Sequence, residues 1–286
     1  MNIIKLRQSL QQFLIEDLGE GDITGETIFD PKERSRGQFI VKEDGVIAGL
    51  DVIKESYHLF NPHISIDLRV RDGEEVSKET VIAEVEGPTV VLLSAERVIL
   101  NLLQRMSGIA TLTRKAVIAL NDEHTRVCDT RKTTPGLRMI EKYAVRCGGG
   151  FNHRLGLYDG VMIKDNHIVA AGSISQAVKI AKSKLGHMVK IEVEIESHQQ
   201  LLEAIEAGAD VIMFDNRTPE EVREFASIVP FSITTEVSGG IDLTNIHLYG
   251  NTGANYISLG MITHSAKAFD ISFNLEGGKK HVIGFN

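Results

Sequence analysis

Cysteine is scarce in this sequence. The two cysteines, Cys128 and Cys147, fit no metal-ligand spacing and are too few for a disulfide-stabilised scaffold. We therefore predict that both thiols are reduced. Long apolar runs are also lacking, which excludes a membrane-spanning helix, and no segment has a low-complexity composition.

The start of the chain lacks the uninterrupted apolar core of a secretory signal. Residues 1–22 instead place apolar side chains at helical spacing with charges between them, at Ile3, Leu6, Leu10, Phe13 and Leu14. This pattern predicts an amphipathic helix. We expect the protein to be cytoplasmic.

Positive charge is in deficit overall but is concentrated in one stretch. The 286 residues carry a net charge of −8, whereas residues 124–167 hold eight Lys or Arg side chains against four acidic ones. The eight cations are Arg126, Arg131, Lys132, Arg138, Lys142, Arg146, Arg154 and Lys164. A basic stretch in an acidic protein indicates an anionic partner. A polyanionic small molecule fits better than nucleic acid, which requires a broad basic face.

The apolar pattern changes twice along the chain. Residues 37–95 alternate apolar and polar side chains between Asp-Gly and Glu-Gly turns, which predicts antiparallel strands. From Ser94 to Leu120 the period becomes that of a long helix, which we expect to be broken or bent at Ser107-Gly108. Strand-like runs then alternate with amphipathic helices, at Thr125–Thr130, Gly160–Lys164, Val189–Ile195, Asp210–Phe214, Ser232–Val237 and Asn255–Leu259.

Strands that alternate with helices in this way predict a parallel sheet. Because the sequence has no Gly-x-Gly-x-x-Gly motif, a barrel is favoured over a dinucleotide-binding sheet. The six predicted strands fall short of the usual eight. We therefore expect an incomplete, open α/β barrel.

In α/β barrels the chemistry gathers at the carboxyl ends of the strands. Those ends carry, in chain order, Asp129 to Lys132, Lys164, Glu194, Asp215, Ser238 to Gly240, and Leu259-Gly260. Glycine backbone at the start of a following helix suits a phosphate group. Two carboxylates that face cations suit a hydrated Mg²⁺ bridging a pyrophosphate.

Ordered motifs along nearly the whole chain resemble those of one family. They are Glu16-Asp17, Gly21-Asp22, Ala95-Glu96-Arg97, Leu100-Asn101-Leu102, Ser107 to Thr111, Asp129 to Thr133, Gly148 to Gly150, His153-Arg154, Ile163 to His167, Glu192-Val193-Glu194, Asp215-Asn216, Ser238 to Gly240 and Ser258 to Gly260. The family is quinolinate phosphoribosyltransferase, the nicotinate-nucleotide pyrophosphorylases (carboxylating) of NAD biosynthesis. At the positions that the family uses for chemistry, the sequence shows no departure.

The resemblance implies a fold and an assembly. We expect an N-terminal α/β sandwich over residues 1–110, joined by C-terminal residues 268–286, and an open α/β barrel over residues 111–267. Members of the family are typically homodimers in which the sandwich of one subunit covers the barrel mouth of the other. Arg97 is therefore expected to act across the subunit interface. Neither nucleic acid nor a membrane is an expected partner.

The resemblance also implies roles for individual residues. The groups expected to hold the two carboxylates of quinolinate are Arg131, His153, Arg154 and Lys164. The expected catalytic residues, which would address phosphoribosyl pyrophosphate and its Mg²⁺, are Lys132, Lys164, Glu194 and Asp215. Of these, Glu194 and Asp215 are the expected Mg²⁺ ligands, through water. The remaining expected substrate-binding residues are Thr130 and, around the 5′-phosphate, Ser238, Gly239, Gly240, Leu259, Gly260 and Met261.

The implied reaction transfers phosphoribosyl to quinolinate with loss of CO₂, giving nicotinate mononucleotide and pyrophosphate. Its physical chemistry agrees with the residues present. Substitution at the anomeric carbon passes through an oxocarbenium-like state, so catalysis consists mainly of alignment and charge stabilisation. A quaternised ring nitrogen then makes the adjacent carbon a tolerable carbanion centre, so decarboxylation needs no organic cofactor.

Three other functions remain open from the sequence. The first is that of a paralogue associated with molybdenum uptake, which would share the barrel and the Lys164 region. The second is a Schiff-base aldolase that uses Lys164, against which the several arginines count. The third is a non-catalytic phosphate-sugar-binding module, which is expected to lack an equivalent of Glu194 or Asp215, although both are present.

Overall fold

The computed structural model describes residues 1–276. The chain divides into two compact units, of which the first comprises residues 1–111 and the segment that begins at Lys267. The second unit is the continuous stretch of residues 112–266. Residues 277–286 of the predicted C-terminal segment lie outside the described residues. No helix in the described part of the chain has the length and apolar content needed to cross a membrane.

The first unit is built on an antiparallel sheet. Its helices are α1 (Ile3–Leu18), α2 (Ile23–Ile28), α3 (Leu50–Phe60) and the first part of α4 (Thr89–Leu120). Its strands are β1 (Arg34–Val41), β2 (Gly45–Val46), β3 (Ser65–Leu68), β4 (Glu75–Val76) and β5 (Val81–Pro88), together with a last strand at Ile271–Leu275. The sheet order is Ile271–Leu275, β1, β5, β3, and β2 pairs separately with β4. Antiparallel strands are confirmed within residues 37–95, but residues 50–60 and 89–95 of that range are helical, in α3 and α4.

Helix α1 has the predicted amphipathic character, because Leu6, Leu10 and Leu14 are buried on one side of it. Helix α4 continues through Ser107 and Gly108, so the predicted break is wrong, and the alternative of a bend stays a prediction. These two small residues serve close packing instead. The Ser107 hydroxyl accepts a hydrogen bond from the backbone N–H of Ala48 at 3.1 Å. A Cβ on Gly108 would overlap the carbonyl oxygen of Lys267, so only glycine lets the returning chain approach.

The second unit alternates parallel strands with helices. Its strands are β6 (Arg126–Cys128), β7 (Val161–Ile163), β8 (Ile191–Ile195), β9 (Val211–Asp215), β10 (Thr234–Ser238) and β11 (Tyr256–Ser258). Its helices are α5 (Arg138–Cys147), α6 (Asp165–Ala171), α7 (Ile174–Lys184), α8 (His198–Ala207), α9 (Pro219–Ile228) and α10 (Met261–His264). The strand Ile271–Leu275 of the first unit completes the series as β12.

The six parallel strands form one sheet in the order β6, β11, β10, β9, β8, β7. Within the described residues the edge strands β6 and β7 do not pair with each other, so the barrel is open. Each predicted strand-like run overlaps the strand observed at that place. The predicted α/β fold class is confirmed.

Side chains alternate between the two faces of every strand. On β8, Val193 is fully buried, whereas Glu192 and Glu194 share the opposite face, which lines the barrel interior. The outward-facing apolar residues of neighbouring strands, such as Phe214 and Val237, are also fully buried and form the core beneath the helices. The polar groups of the sheet are thereby collected inside the barrel.

Candidate active site

A cavity of about 650 Å³, here called the upper cavity, opens at the carboxyl ends of the parallel strands. Eleven predicted site residues line it, namely Thr130, Arg131, Lys132, His153, Arg154, Lys164, Glu194, Asp215, Ser238, Gly239 and Gly240. Four further lining residues were not predicted as site residues, namely Met162, Met213, Asn216 and Ser258. The strand ends thus bring most of the predicted residues together.

Lys164 and Glu194 lie at the ends of the neighbouring strands β7 and β8. The Lys164 ammonium donates a hydrogen bond to Glu194 Oε2 at 2.6 Å, and the Lys164 side chain is 44% exposed. A lysine nitrogen that is engaged by a neighbouring carboxylate is not presented to a carbonyl carbon for attack. This geometry counts against the Schiff-base aldolase.

Arg131 and Arg154 form the most cationic part of the cavity. Arg154 Nη1 donates to the carbonyl oxygen of Gly160 at 2.8 Å. Burial and the positive charge of Arg131 lower the pKa of Arg154, against the opposing effect of Glu192 and Asp159. Arg131 Nε is buried and has no hydrogen-bond partner among the described residues. An anion placed between these guanidinium groups would relieve both their repulsion and the unpaired donor.

Glycine backbone forms the wall of the upper cavity after β10. Gly239 and Gly240 have φ of 91° and 65°, which glycine adopts without strain. A Cβ on Gly239 would overlap the side-chain oxygen of Asn216, whereas a Cβ on Gly240 would point into open space. The backbone can therefore approach a ligand closely at this point.

The helix that was expected to begin directly after these glycines is not there. Asp242 Oδ1 accepts hydrogen bonds from the backbone N–H and hydroxyl of Thr244, the former at 2.7 Å, which stabilises a turn. Only a short 3₁₀ segment follows, at Ile246–Tyr249. The expectation of a helix N-terminus is therefore wrong after β10, where the local turn takes its place, whereas α10 does begin at Met261, directly after Gly260.

Four predicted residues do not line the upper cavity. Leu259 is buried at 1% exposure, and Met261 begins α10. Gly260 lies against Lys132, since a Cβ on it would come within 2.8 Å of Lys132 Cδ. Arg97 belongs to the first unit, where it is exposed on α4.

A second group of polar residues lies toward the amino ends of the strands. It borders a lower cavity of about 270 Å³, whose lining includes His153, Arg154, Lys190, Glu192, Glu236 and Tyr256. Glu192 and Glu236, here called the interior acid pair, are 6% and 4% exposed. His153 Nε2 lies 2.9 Å from Glu192 Oε2 and 3.7 Å from Glu236 Oε1, and Ser258 Oγ donates to Glu236 Oε1 at 2.5 Å.

Burial and mutual repulsion control the charges of this group. Burial and the neighbouring carboxylate of Glu192 raise the pKa of Glu236 to about 7. Burial lowers the pKa of His153, but Glu192 and Glu236 outweigh it, so that this pKa is raised. Sequence reasoning missed the interior acid pair as site residues. The available signal was the two-residue spacing of Glu192 from Glu194 and of Glu236 from Ser238, which places each pair on one face of its strand.

A buried ion pair between Lys142 and Asp129 holds the loop that carries His153. Lys142 on α5 also donates to the carbonyl oxygen of His153 at 2.9 Å. Asp129 accepts hydrogen bonds from the His153 backbone N–H at 2.9 Å and from Asn152 Nδ2 at 2.6 Å. Burial raises the pKa of Asp129, although Lys142 opposes this. The loop backbone is therefore fixed from below by fully paired groups.

Within residues 1–276, two sets of side chains lie close enough together to be considered as metal ligands. Glu194 and Asp215 face the upper cavity from neighbouring strands, and carboxylate oxygens beside open space suit a hydrated Mg²⁺. The ligand atoms of His153, Glu192 and Glu236 also lie within 4.8 Å of one another. However, His153 Nδ1 accepts a hydrogen bond from the Arg154 backbone N–H at 2.8 Å. A neutral imidazole then carries its proton on Nε2, which leaves no lone pair there for a metal.

Family models match both parts of the chain. The model described as quinolinate phosphoribosyl transferase, N-terminal domain, matches residues 22–107, and the one described as its C-terminal domain matches residues 109–274. Together the two models account for nearly the whole of the described sequence.

Known proteins resemble the chain over most of its length. The Bacillus subtilis (strain 168) protein "Probable nicotinate-nucleotide pyrophosphorylase (carboxylating)" is 55% identical over 275 residues, which cover 96% of this chain and 95% of that protein. The Nicotiana glauca protein "Quinolinate phosphoribosyltransferase (decarboxylating) 2, mitochondrial" is 37% identical and covers 95% of this chain and 82% of its own. The crystal structure of NadC from Streptococcus pyogenes has a TM-score of 0.93 at 39% identity, covering 96% of this chain and 98% of that one.

Proposed function

Since the chain belongs to the quinolinate phosphoribosyltransferase family, we propose that the upper cavity is where it carries out the reaction of that family. The chain transfers phosphoribosyl from phosphoribosyl pyrophosphate to quinolinate with decarboxylation, and the products are nicotinate mononucleotide, pyrophosphate and CO₂. It is thus a pentosyltransferase of NAD biosynthesis. The family resemblance read from the motifs is confirmed.

The observation that carries the assignment of the site is the cation pair of Arg131 and Arg154. Quinolinate brings two carboxylates on adjacent ring carbons, and planar guanidinium forks match carboxylates in geometry and charge. Binding of the dicarboxylate would supply a partner for Arg131 Nε, which lacks one among the described residues. Lys164, which is partly exposed to the cavity, adds a third cation.

The chemistry requires placement more than covalent help. The ring nitrogen of quinolinate forms a bond to the anomeric carbon while the bond to pyrophosphate breaks, and the leaving oxygen takes the electron pair. Lys132 and Lys164 would stabilise charge on the pyrophosphate. The 2-carboxylate then leaves as CO₂, its electron pair stays on C2, and a proton completes nicotinate mononucleotide. The backbone of Ser238 to Gly240 would bind the 5′-phosphate, as its close approach to the cavity allows.

Glu194 and Asp215 would hold Mg²⁺ through water, and the ion would supply positive charge to the pyrophosphate. The two carboxylates lie on the cavity face of β8 and β9, so their donor set fits the ion. Glu194→Gln and Asp215→Asn should weaken Mg²⁺-dependent use of phosphoribosyl pyrophosphate far more than quinolinate binding. Equal losses for both ligands, or an unchanged Mg²⁺ dependence, would show that the two residues support the fold.

We also propose that the protein acts as a homodimer in which Arg97 is donated across the interface. Its exposure on α4, outside the barrel unit, supports this proposal. Subunits carrying Arg97→Ala mixed with subunits carrying Arg131→Ala should regain activity, because one of the two composite sites then keeps both arginines. Absence of complementation after verified subunit exchange would indicate a site built within one chain. The cytoplasmic location stays a prediction.

The test of the proposed substrate is a comparison of quinolinate with nicotinate, which lacks the 2-carboxylate. Nicotinate leaves at least one of the clustered cations desolvated and unpaired, at a cost of roughly 2–5 kcal/mol, or about 30-fold to several-thousand-fold in kcat/KM. The measurement follows nucleotide formation and CO₂ release with the same donor and saturating Mg²⁺. Use of nicotinate within about threefold of quinolinate would contradict the dicarboxylate site.

A further inference from the structure

The interior acid pair lies directly below the residues that line the upper cavity. On β8, Glu192 is two residues before Glu194, and on β10, Glu236 is two residues before Ser238. Each glutamate therefore points the same way as the cavity residue above it, one layer deeper in the barrel. The reaction as described above gives the interior acid pair no role.

His153 connects this deeper layer to the upper cavity, because it lines both cavities. Its two ring nitrogens are both engaged. Nδ1 accepts from the Arg154 backbone N–H at 2.8 Å, and Nε2 lies 2.9 Å from Glu192 Oε2. An acceptor at Nδ1 places the ring proton on Nε2, so Nε2–H donates to the Glu192 carboxylate.

Glu236 holds the arrangement from the other side. It lies 3.7 Å from His153 Nε2 and accepts from Ser258 Oγ at 2.5 Å, and Ser258 is itself a lining residue of the upper cavity. The carboxyl groups thus form a bridge between β8, β10 and β11 on which the imidazole rests. Every member of this bridge is buried or nearly so.

The segment after His153 is a local turn in which the backbone N–H groups of Leu155 and Gly156 donate to Asp159 at 2.6 and 2.9 Å. Leu157 and Tyr158 are 75% and 79% exposed, so the chain that follows Arg154 is largely on the surface. A guanidinium that must meet a carboxylate in one orientation needs a backbone held within a fraction of an ångström. The His153 ring accepts a hydrogen bond from the Arg154 backbone N–H and so contacts this backbone directly.

We propose that Glu192, supported by Glu236, is a positioning residue for quinolinate: it orients the His153 ring, and the ring in turn fixes the backbone of Arg154. This inference rests on the proposed function of the upper cavity. It makes the deeper layer of the barrel a determinant of substrate affinity, although Glu192 does not line the upper cavity and acts through His153.

The test compares two substitutions of Glu192 that differ in one property. The amide of Glu192→Gln still accepts from Nε2–H, whereas Glu192→Met fills a similar volume and accepts nothing. We expect Glu192→Met to raise the KM and the calorimetric Kd for quinolinate about tenfold, because the buried N–H loses its acceptor and the ring loses its orientation. Glu192→Gln should stay within about threefold of wild type, and the KM for phosphoribosyl pyrophosphate within about twofold in both variants.

A matched control uses Glu196, which is exposed just beyond the same strand. Glu196→Met should leave both constants unchanged. Equal increases in KM for the two substrates in Glu192→Met, with Glu192→Gln equally impaired, would overturn the proposal, because that pattern indicates a general effect on the fold.

A double-mutant cycle tests the route through His153. His153→Leu removes Nε2–H, so adding Glu192→Met to it should cause no further increase in the Kd for quinolinate. If the two effects multiply, Glu192 acts independently of the ring and the proposal is wrong.

The wild-type protein distinguishes this inference from the proposed function. Wild type that binds and converts quinolinate, beside a Glu192→Met variant with unchanged Kd, overturns the positioning role alone. Wild type that does not use quinolinate overturns the proposed function itself, whatever the variants do.

Discussion

Two groups of cations in the same basic stretch, residues 124–167, differ in whether the protein itself provides their partner. Lys142 is 1% exposed in its side chain and is paired with Asp129, which is itself fully buried. Arg131 and Arg154, by contrast, repel each other, and Arg131 Nε has no partner in the described part of the chain. The protein supplies the anion for the lysine and leaves it to a ligand for the arginines. Basic residues of one stretch can thus serve the structure, as Lys142 does, or leave a donor available to a ligand, as Arg131 does.

Other cations of the stretch also serve the structure. Arg138 Nε donates to Thr133 Oγ1 at 2.9 Å and Nη1 to the carbonyl oxygen of Leu155 at 3.2 Å. The Arg126 guanidinium lies 4.6 Å from the centre of the Phe151 ring. Only four of the eight cations line the upper cavity, namely Arg131, Lys132, Arg154 and Lys164. The sequence count of eight thus overstated the charge available to a ligand.

The largest expected effect is a loss of activity when one of the two cavity arginines is removed. Arg154→Met should lower kcat/KM for quinolinate about 10³-fold, because a guanidinium that the fold leaves for the substrate is lost. Arg126→Met, in the same basic stretch but stacked on an aromatic ring, should change it by less than about threefold. Steady-state kinetics on both variants measure this. Similar losses for the two would mean that the stretch acts through total charge.

The next largest effect is a loss of stability when the buried pair of Lys142 and Asp129 is broken. Asp129→Asn leaves Lys142 buried without a carboxylate and should reduce the free energy of unfolding by about 3–5 kcal/mol, as measured by urea denaturation. Adding Lys142→Met should recover much of this loss, since no buried charge then remains. A double variant less stable than Asp129→Asn would contradict the view that the loss in Asp129→Asn comes from the unpaired charge of Lys142.

The smallest expected effect is a change with pH in the free energy of unfolding, which depends on the buried Glu236. Burial and Glu192 raise the pKa of Glu236 from 4.5 to about 7, so the folded state binds a proton that the unfolded chain has released. That stabilisation is complete below pH 4.5 and is lost as the pH rises toward 7. Relative to Glu236→Gln, which mimics the protonated acid, wild type should therefore lose about 1–3 kcal/mol of unfolding free energy over this range.

The control for this pH series is Glu123→Gln, because Glu123 is exposed and lies in a loop. Its unfolding free energy should follow that of wild type at every pH. A Glu236→Gln variant that also follows wild type would show that the pKa of Glu236 is not raised in the folded protein.

Much of the architecture could be predicted because it depends on local signals. The strand runs of the barrel follow from apolar residues that lie under helices, and each predicted run overlaps its strand. Lys164, Glu194 and Asp215 could be placed together because parallel strands end at one edge. The continuous course of α4 could not be predicted, since the reason for Gly108 is a contact with Lys267, far along the chain.

The roles of the residues inside the barrel could not be predicted either, because their partners are also distant in the sequence. Glu192 is readable as a neighbour of Glu194 on β8, but its partners come from a loop and from β10. The role of a buried carboxylate depends on the groups that the fold places beside it, such as the His153 ring. The same holds for Asp129, whose partner Lys142 lies on a helix that sequence reasoning treated as part of the basic stretch.

The last strand of the first unit is synthesised after the whole of the second unit. The second unit is one unbroken stretch of residues 112–266, whereas the sheet of the first unit takes β12 from after that stretch. A ribosome therefore synthesises every strand of the barrel before it makes β12, the strand that pairs with β1. Until then β1 has one unpaired edge in the nascent chain, the situation in which exposed strands tend to join other chains. The sheet of the first unit can therefore be completed only after the whole second unit has been synthesised.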